Sequence, residues 1–369
     1  WGHCHNLNIS KSRDGINWEL TEEKSGWGGG SPWAICYNPF KETYIYNFRD
    51  NLPHVSLARV TRFKEVENLT DKWPQWNSQK SYGGAGYRKI EKEHPQITVV
   101  ADKYDKRMRG SSRMPGIYAC KTQAYESIFL FLISVFQGDS GKYGCLHKSV
   151  EVYLGYSRDG KQYTRQIQNR KPFICESNEE VGSKRESYAI CSGGNFLIVD
   201  EKIYIYVLNR DQLLSQSNTY LYTLRRDGFA SITTINNKES ILLTKLLTIN
   251  GEHLFVNFNN NKNGYLYVEL LDENNNVIDY YSKEECNVIK KDSTKIKINW
   301  KKNNKVDKTK KLKIKFYFIG SLYSFWFSDY ETGESNGFLG GGPNYEYYSD
   351  RIDNNKKLNI TKLSNIEIT

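Results

Sequence analysis

One turn spelling recurs along the chain and limits what it can fold into. "NISKSRDGINW" spans residues 8–18, "YLGYSRDGKQY" spans 153–163 and "LYTLRRDGFAS" spans 221–231. In each, residues suited to an extended strand run into Arg-Asp-Gly, where the Asp can hydrogen-bond its own turn and the Gly tolerates positive φ. Each copy therefore reads as a hairpin tip, and Asp14, Asp159 and Asp227 read as turn residues that bind backbone amides rather than substrate. The interval from Asp159 to Asp227 has the size of one propeller blade, and the interval from Asp14 to Asp159 is about twice as long. A degenerate tip at "LARVTRFKEVENLT" (57–70) would fill the gap. Recurrence at some tens of residues, with four short strands per repeat, points to a radial β-propeller, although Asp-Gly turns occur in any all-β protein.

The rest of the chain agrees with an all-β class. Short β-branched or aromatic runs are bounded by Gly, Asn and Asp, helical periodicity is hard to find, and 27 Tyr and 8 Trp supply residues that suit strands and sugar stacking alike. The longest apolar run, Ile128 to Phe136, is about half of the roughly 20 residues that a membrane-crossing helix needs, so it reads as a buried central strand. No transmembrane segment is expected. The seven cysteines are scattered, with no Cys-x-x-Cys pair or zinc spacing, and at least one thiol is left unpaired within the chain. His3 and His5 flank Cys4 without a second ligand cluster nearby, so no metal site is expected. The glycine-rich stretches at 26–33 and 338–345 lack the strand-to-helix setting and Lys of a phosphate loop, and nothing implies a cofactor. The net charge of +10 gathers in residues 290–315, which are rich in Lys and contain no Arg. Nucleic-acid readers favour Arg forks interleaved with aromatics, so this segment reads as a solvated, Lys-rich hairpin and no nucleic-acid partner is expected.

Texture changes after residue 235. "LFVNFNNNKNGYLYVELLDENNNVIDYYS" alternates strand with Asn-rich turn, placing Leu266, Val268 and Leu270 on one face and Tyr265, Tyr267 and Glu269 on the other. Two further strands, at "KIKINW" and "LKIKFYFIGSLYSFWFSD", suffice for a small sandwich. The expected organisation is a β-propeller over residues 1–236 and a C-terminal β-sandwich over 237–369.

"LLTKLLTINGEHLFVNFN", "YVELLDENNNVI", "DSTKIKINW" and "SLYSFWFSD" follow one another here in an order that resembles the C-terminal module of bacterial five-bladed β-propeller glycoside hydrolase-like proteins, the glycosyl hydrolase family thirty-two-like group. Upstream, "VVADKYD", "AYESIFLFL", "VYLGYSRDGKQY", "SGGNFLIVDEKIYIYVLNR" and "TLRRDGFAS" are similar to the same proteins, so the likeness covers most of residues 98–342. The resemblance implies five blades, a central funnel lined by the innermost strands, an extracellular or cell-surface location and a glycan as substrate or ligand. It also implies that a first blade, or part of one, precedes this sequence, which starts at Trp1 as a mature or trimmed product would.

Glycoside hydrolysis usually needs one protonated and one ionised carboxyl group. Glu126, in "QAYESIFLFL", stands immediately before an apolar strand and matches a Tyr-Glu of the resembled family together with Tyr125. It reads as the general acid, its pKa raised by partial burial at a funnel mouth, or as an ordinary exposed acid at a strand end. Asp102 follows another apolar strand and matches a family Ala-Asp; it reads as the ionised partner or as a turn cap. Glu186 is a third candidate acid, in "GSKRESYAICSGG", where the chain departs from the family's Trp and Asn-rich strand. Arg49 and Arg210 each end an apolar strand and match family arginines, suiting them to bind carboxylate, sulfate or sugar hydroxyls, or to tie adjacent blades. Trp27 and Trp33 offer sugar-stacking faces or core packing. Two functional readings follow: a glycoside hydrolase acting on an external glycan, and a catalytically inert propeller that binds carbohydrate or serves in a surface assembly.

Overall fold

A computed structural model of the chain describes residues 7–12, 14, 16–25, 30–52, 58–69, 71, 96–105, 115–138, 148–166, 170–174, 187–191, 196–211, 216–335 and 337–338. These residues are all-β, with several sheets and no helix among them. They divide into two compact units, one holding the described residues up to 196 with 205–222, the other holding 197–204 with 223–338.

In the first unit, β1 (Leu7–Lys11) and β2 (Glu19–Ser25) make a two-stranded hairpin. β3 (Gly30–Asn38), β4 (Thr43–Leu52), β5 (Ala58–Val66) and β6 (Gln96–Val99) form a four-stranded antiparallel sheet in chain order. The stretch at 57–70 is therefore mostly strand: β5 pairs with β4 along its whole length, from Tyr44↔Val66 to Leu52↔Ala58, and only the residues after Val66 turn. β7 (Gly116–Tyr125), β8 (Ile128–Gly138), β9 (Lys148–Ser157) and β10 (Tyr163–Arg165) again pair in chain order. β11 (Ser187–Cys191), with β13 (Lys202–Asp211) from Ile205 on and β14 (Gln216–Arg225) up to Tyr222, continues that unit, β11 pairing with β9 through the parallel pair Tyr188↔Val150; β12 (Leu197–Val199) and the remaining ends of β13 and β14 belong to the second unit.

The apolar run beginning at Ile128 becomes β8, flanked by β7 and β9 and buried from Phe129 to Gln137. A strand covered on both faces reads as a continuous rather than alternating apolar run, and each large side chain buried in this way contributes about 1.5–3 kcal/mol.

The second unit holds β15 (Ile232–Thr233), β16 (Ser240–Leu243), β17 (His253–Asn259), β18 (Tyr265–Leu271), β19 (Ser293–Lys297), β20 (Lys313–Ile319) and β21 (Ser321–Ser328). One sheet runs β15-β21-β17-β19 and a second runs β16-β20-β18. Alternation on β18 sends Leu266, Val268 and Leu270 inward, and on β20 it sends Ile314, Phe316 and Phe318 inward, all fully buried. They meet Leu254, Val256 and Phe258 of β17 in one core shared by both sheets. The chain crosses from one sheet to the other at Gly320, the single residue between β20 and β21. Its φ of 143° and the carbonyl oxygen of Asn259, 2.4 Å from where a Cβ would stand, both demand glycine. The Lys-rich segment is matched by acids: Lys297 pairs with Glu331, Lys305 with Glu252, Lys308 with Asp329 and Lys315 with Glu269.

Candidate functional site

Two of the three Arg-Asp-Gly tips share one hydrogen-bond pattern. Asp14 Oδ1 accepts from the amides of Ile16 (2.8 Å) and Asn17 (2.7 Å) and from the Ser12 hydroxyl. Asp159 Oδ1 accepts from the amides of Lys161 (2.9 Å) and Gln162 (2.7 Å) and from the Ser157 hydroxyl. Each carboxylate spans the same positions two and three residues ahead and two behind, so both aspartates close their own turns. Backbone amides at Asn17 and Ile16 hold the Asp14 carboxyl far below its ordinary range. Asp227 differs, taking φ 55° itself and accepting from the Ser324 hydroxyl at 2.7 Å.

Asp102 lies in a turn just after β6 that caps itself. Its amide donates to Asp105 Oδ2 (2.8 Å), its carbonyl accepts from the Asp105 amide (3.0 Å), and its Oδ1 accepts from the Tyr104 amide (2.9 Å). Two arginines from beyond residue 160 close on this turn. Arg170 grips Asp102 through Nη1 to Oδ1 (2.8 Å) and Nη2 to Oδ2 (3.0 Å). Arg165 grips Asp105 through Nη1 to Oδ1 and Nη2 to Oδ2, both at 2.8 Å, and reaches Asp102 Oδ2 at 3.2 Å. The side chains of Arg165, Arg170 and Asp105 are 3%, 4% and 0% exposed, against 40% for Asp102. Partial burial works to raise the Asp102 pKa, but hydrogen bonds from Arg170 and the Tyr104 amide, with both arginine charges, outweigh it and hold the carboxyl below the usual carboxylate range. An ionised carboxylate with both oxygens engaged cannot donate a proton, and attack by it would mean breaking a bidentate pair. The cluster fastens the exit of β6 to the end of β10.

Glu126 and Ser127 form the two-residue turn between β7 and β8, with Tyr125 paired to Ile128. Glu126 itself takes φ 52° and is partly exposed. Tyr125 is buried, its ring edge-on to Phe196 at 6.1 Å between centroids. Trp33 pairs with Phe48 in the β3–β4 ladder and Arg210 pairs with Tyr188 in the β11–β13 ladder, but both side chains lie outside the described residues, as do Glu186 and Trp27 altogether.

Arg49 sits in the most distinctive surroundings. On β4, Asn47 and Arg49 face the same way as their partners on β5, Phe63 and Thr61, and this face meets β7. Asn47 Nδ2 donates to Thr122 Oγ1 at 2.6 Å, and the Arg49 guanidinium lies over the Tyr118 ring at 5.1 Å. Arg59 lies over the same ring at 5.8 Å and over Phe136 at 4.2 Å, while Tyr118 and Phe136 are themselves stacked. Gly116 makes room for this: a Cβ there would stand 3.0 Å from Arg59 Cβ and 3.3 Å from its amide nitrogen. Three buried polar atoms in this group have no hydrogen-bond partner among the described residues: Asn47 Oδ1, Arg49 Nε and Thr61 Oγ1. Asn47 and Thr61 are each 1% exposed, so such atoms are costly unless something answers them.

Of the sequence-predicted residues with described side chains, Asp102 lies in the arginine-held turn, Tyr125 and Glu126 lie at the β7–β8 turn, and Arg49 lies over Tyr118. Arg49 stands at Tyr118, near the start of β7, and Glu126 stands just past its end; eight residues of extended strand separate them, roughly 25 Å. Asn47, Arg59 and Thr61 carried no signal beyond polar residues alternating with apolar ones in "YNFRDN" and "ARVTRF", and Tyr118 carried none. Among the described residues no group of three or more His, Cys, Asp or Glu side chains has the arrangement of a metal site, and no helix is long and apolar enough to cross a membrane.

No protein-family model matches the chain, and no curated protein matches it significantly. Among solved structures it is similar to a glycoside hydrolase, at 8% identity and a TM-score of 0.37, over 58% of this chain and 60% of that one. It is also similar to an N-acetylgalactosamine deacetylase from F. plautii in complex with blood group B trisaccharide, at 10% identity and a TM-score of 0.26, over 78% of this chain and 49% of that one. A third is a glycoside hydrolase family 43 arabinoxylan arabinofuranohydrolase from Bacillus subtilis in complex with cellotetraose, at 9% identity and a TM-score of 0.24, over 88% of each chain.

Proposed function

We propose that the chain is an extracellular or cell-surface glycan-binding protein, built as a five-bladed propeller over residues 1–236 and a β-sandwich over 237–369. The propeller reading is supported by β3–β6 and β7–β10, each four antiparallel strands in chain order, and by the ordered motifs resembling glycoside hydrolase-like propellers. The observation that carries glycan binding is Arg49, a partly buried guanidinium over the Tyr118 ring with no hydrogen bond or ion pair among the described residues. A guanidinium in that state can donate to sugar hydroxyls.

Binding is preferred here to hydrolysis by Asp102 and Glu126. Asp102 is committed to Arg165 and Arg170, and Glu126 belongs to a hairpin tip. Hydrolysis remains the second reading because the Tyr125-Glu126 pair matches the resembled family. A glycan array probed with wild type, Arg49→Ala and Glu126→Gln separates them. Binding by wild type that falls at least tenfold in Arg49→Ala and persists in Glu126→Gln is the expected outcome. Absence of any bound glycan, or equal binding by Arg49→Ala, overturns the proposal. Release of reducing sugar by wild type, abolished in Glu126→Gln, would establish the enzyme reading instead.

A further inference from the structure

We infer that the second unit carries its own small-ligand site, a cleft that takes one neutral sugar ring and stands apart from the Arg49 face. The cleft has a volume of about 270 Å³, and its lining includes Glu201, Lys202, Thr223, Arg225, Asp292 and Thr294. All six belong to the second unit. Three pieces of chain converge on it: the turn between β12 and β13 with Glu201, running into Lys202 at the start of β13; the end of β14 with Thr223 and Arg225; and Asp292 just ahead of β19 with Thr294 inside that strand.

Arg225 is fixed before any ligand arrives. Its Nε donates to Asn257 Oδ1 at 3.1 Å, its Nη1 donates to Asp292 Oδ1 at 2.8 Å, and its guanidinium lies over the Tyr323 ring at 4.5 Å. Asn257 is fully buried and its Nδ2 donates to the Arg226 carbonyl at 2.6 Å, while the Arg226 amide donates to the Glu201 carbonyl at 2.8 Å. These bonds tie the turn at Glu201 and the end of β14 to β17, so little ordering is left for binding to impose. Arg225 Nη2 makes no hydrogen bond among the described residues, and neither do the side chains of Glu201, Lys202, Thr223 and Thr294.

Charge and size set the ligand. Lys202 and Arg225 balance Glu201 and Asp292 in the lining, so the cleft carries no net formal charge and a charged ligand gains no overall attraction. Carboxylates accept hydrogen bonds, ammonium and guanidinium groups donate them, and threonine hydroxyls do both. Sugar hydroxyls also do both, so the hydroxyls of one ring suit this set, whereas an apolar molecule leaves it unanswered. Leu224, the apolar residue of the lining, suits the C–H face of such a ring. At about 270 Å³ the cleft falls just below the range of about 300–1,000 Å³ typical of small-molecule pockets, which suits one ring rather than a chain. A single ring with so few contacts binds on the order of millimolar, too weakly to survive the washing of a glycan array, so this site leaves the Arg49 result there unmasked.

The test is saturation-transfer difference NMR on the full chain with the methyl glycosides of glucose, galactose, mannose, xylose and arabinose, alongside glucuronate and glucosamine as charged counterparts. The expected result is binding of at least one neutral glycoside at about 1 mM, weakened roughly fivefold or more by Glu201→Ala and by Thr223→Trp, which fills the cleft. Glu201 and Thr223 are exposed, so both variants should fold, and exposed Lys202 gives a third, Lys202→Ala, with the same expected direction. No binding by any neutral glycoside, or equal binding by wild type, Glu201→Ala and Thr223→Trp, overturns the cleft as a site. Tighter binding of glucuronate or glucosamine than of every neutral glycoside, removed by Thr223→Trp, overturns the neutral-ligand assignment. Loss of the signal in Arg49→Ala with no change in Glu201→Ala or Thr223→Trp places the binding at Arg49, which overturns this inference and leaves the proposed function standing.

Discussion

Removing the Asp105 carboxyl asks whether the cluster at residues 102–105 is a structural clamp. Asp105 receives four hydrogen bonds: from Arg165 Nη1 and Nη2 at 2.8 Å each, from Arg170 Nη1 at 2.9 Å and from the Asp102 amide at 2.8 Å. Asp105→Ala leaves two guanidiniums that are 3% and 4% exposed with one half-exposed carboxylate between them. Leaving buried charge uncompensated costs about 3–5 kcal/mol. For a unit of this size the melting temperature should fall by roughly 6–20 °C. Asp102→Ala should cost less, about 1–2 kcal/mol, because the 40% exposure of Asp102 lets water replace much of what is lost. Differential scanning calorimetry on both variants and wild type reads the difference. If Asp105→Ala melts within about 1 kcal/mol of wild type, or if Asp102→Ala is the more damaging, the clamp is refuted.

Acid should loosen the same cluster. The folded pKa of Asp102 lies below the unfolded value of about 3.9, so its contribution is complete above that pH and is lost as pH falls through the folded value; urea midpoints should drop below about pH 4, with a shallower drop in Asp102→Asn. Gly320→Ala drives a Cβ to 2.4 Å from the Asn259 oxygen at a φ of 143°, and should destabilise the second unit by more than about 2 kcal/mol in urea unfolding; an unchanged midpoint would show that the crossing between its sheets tolerates a side chain. Cys36, Cys120 and Cys286 are buried, which pushes their thiols up to about 12, 12 and 11, so peptide mass spectrometry should find all three unlabelled by iodoacetamide in the native protein and labelled in urea.

What could be read in the sequence was local or periodic. The inward and outward faces of β18 follow from alternation alone, and the burial of β8 follows from an unbroken apolar run flanked by turn residues. Asp14 and Asp159 bind amides two and three residues away, so their turns are written within a few positions. Glu126 was harder, because Glu-Ser carries none of the Asn-Gly or Asp-Gly chemistry that announces a two-residue hairpin. A second strand ends at Tyr125 and folds straight back, so Glu126 sits in a hairpin turn that the apolar run after it did not announce. Asp102 illustrates the other limit: its partners Arg165 and Arg170 lie more than 60 residues away in sequence, and no pattern near residue 102 names them.

Arginines in this chain are better judged by what answers them than by where they fall in the sequence. Arg49 lies within β4 and Arg165 ends β10, yet Arg165 is held by two aspartates, whereas Arg49 meets no side-chain acid or oxygen among the described residues. A buried guanidinium nitrogen and two buried oxygens left without partners each cost about 1–3 kcal/mol, a heavy load against a total stability of about 5–15 kcal/mol. Asp102 is the opposite case: both of its oxygens are already engaged by Arg165 and Arg170.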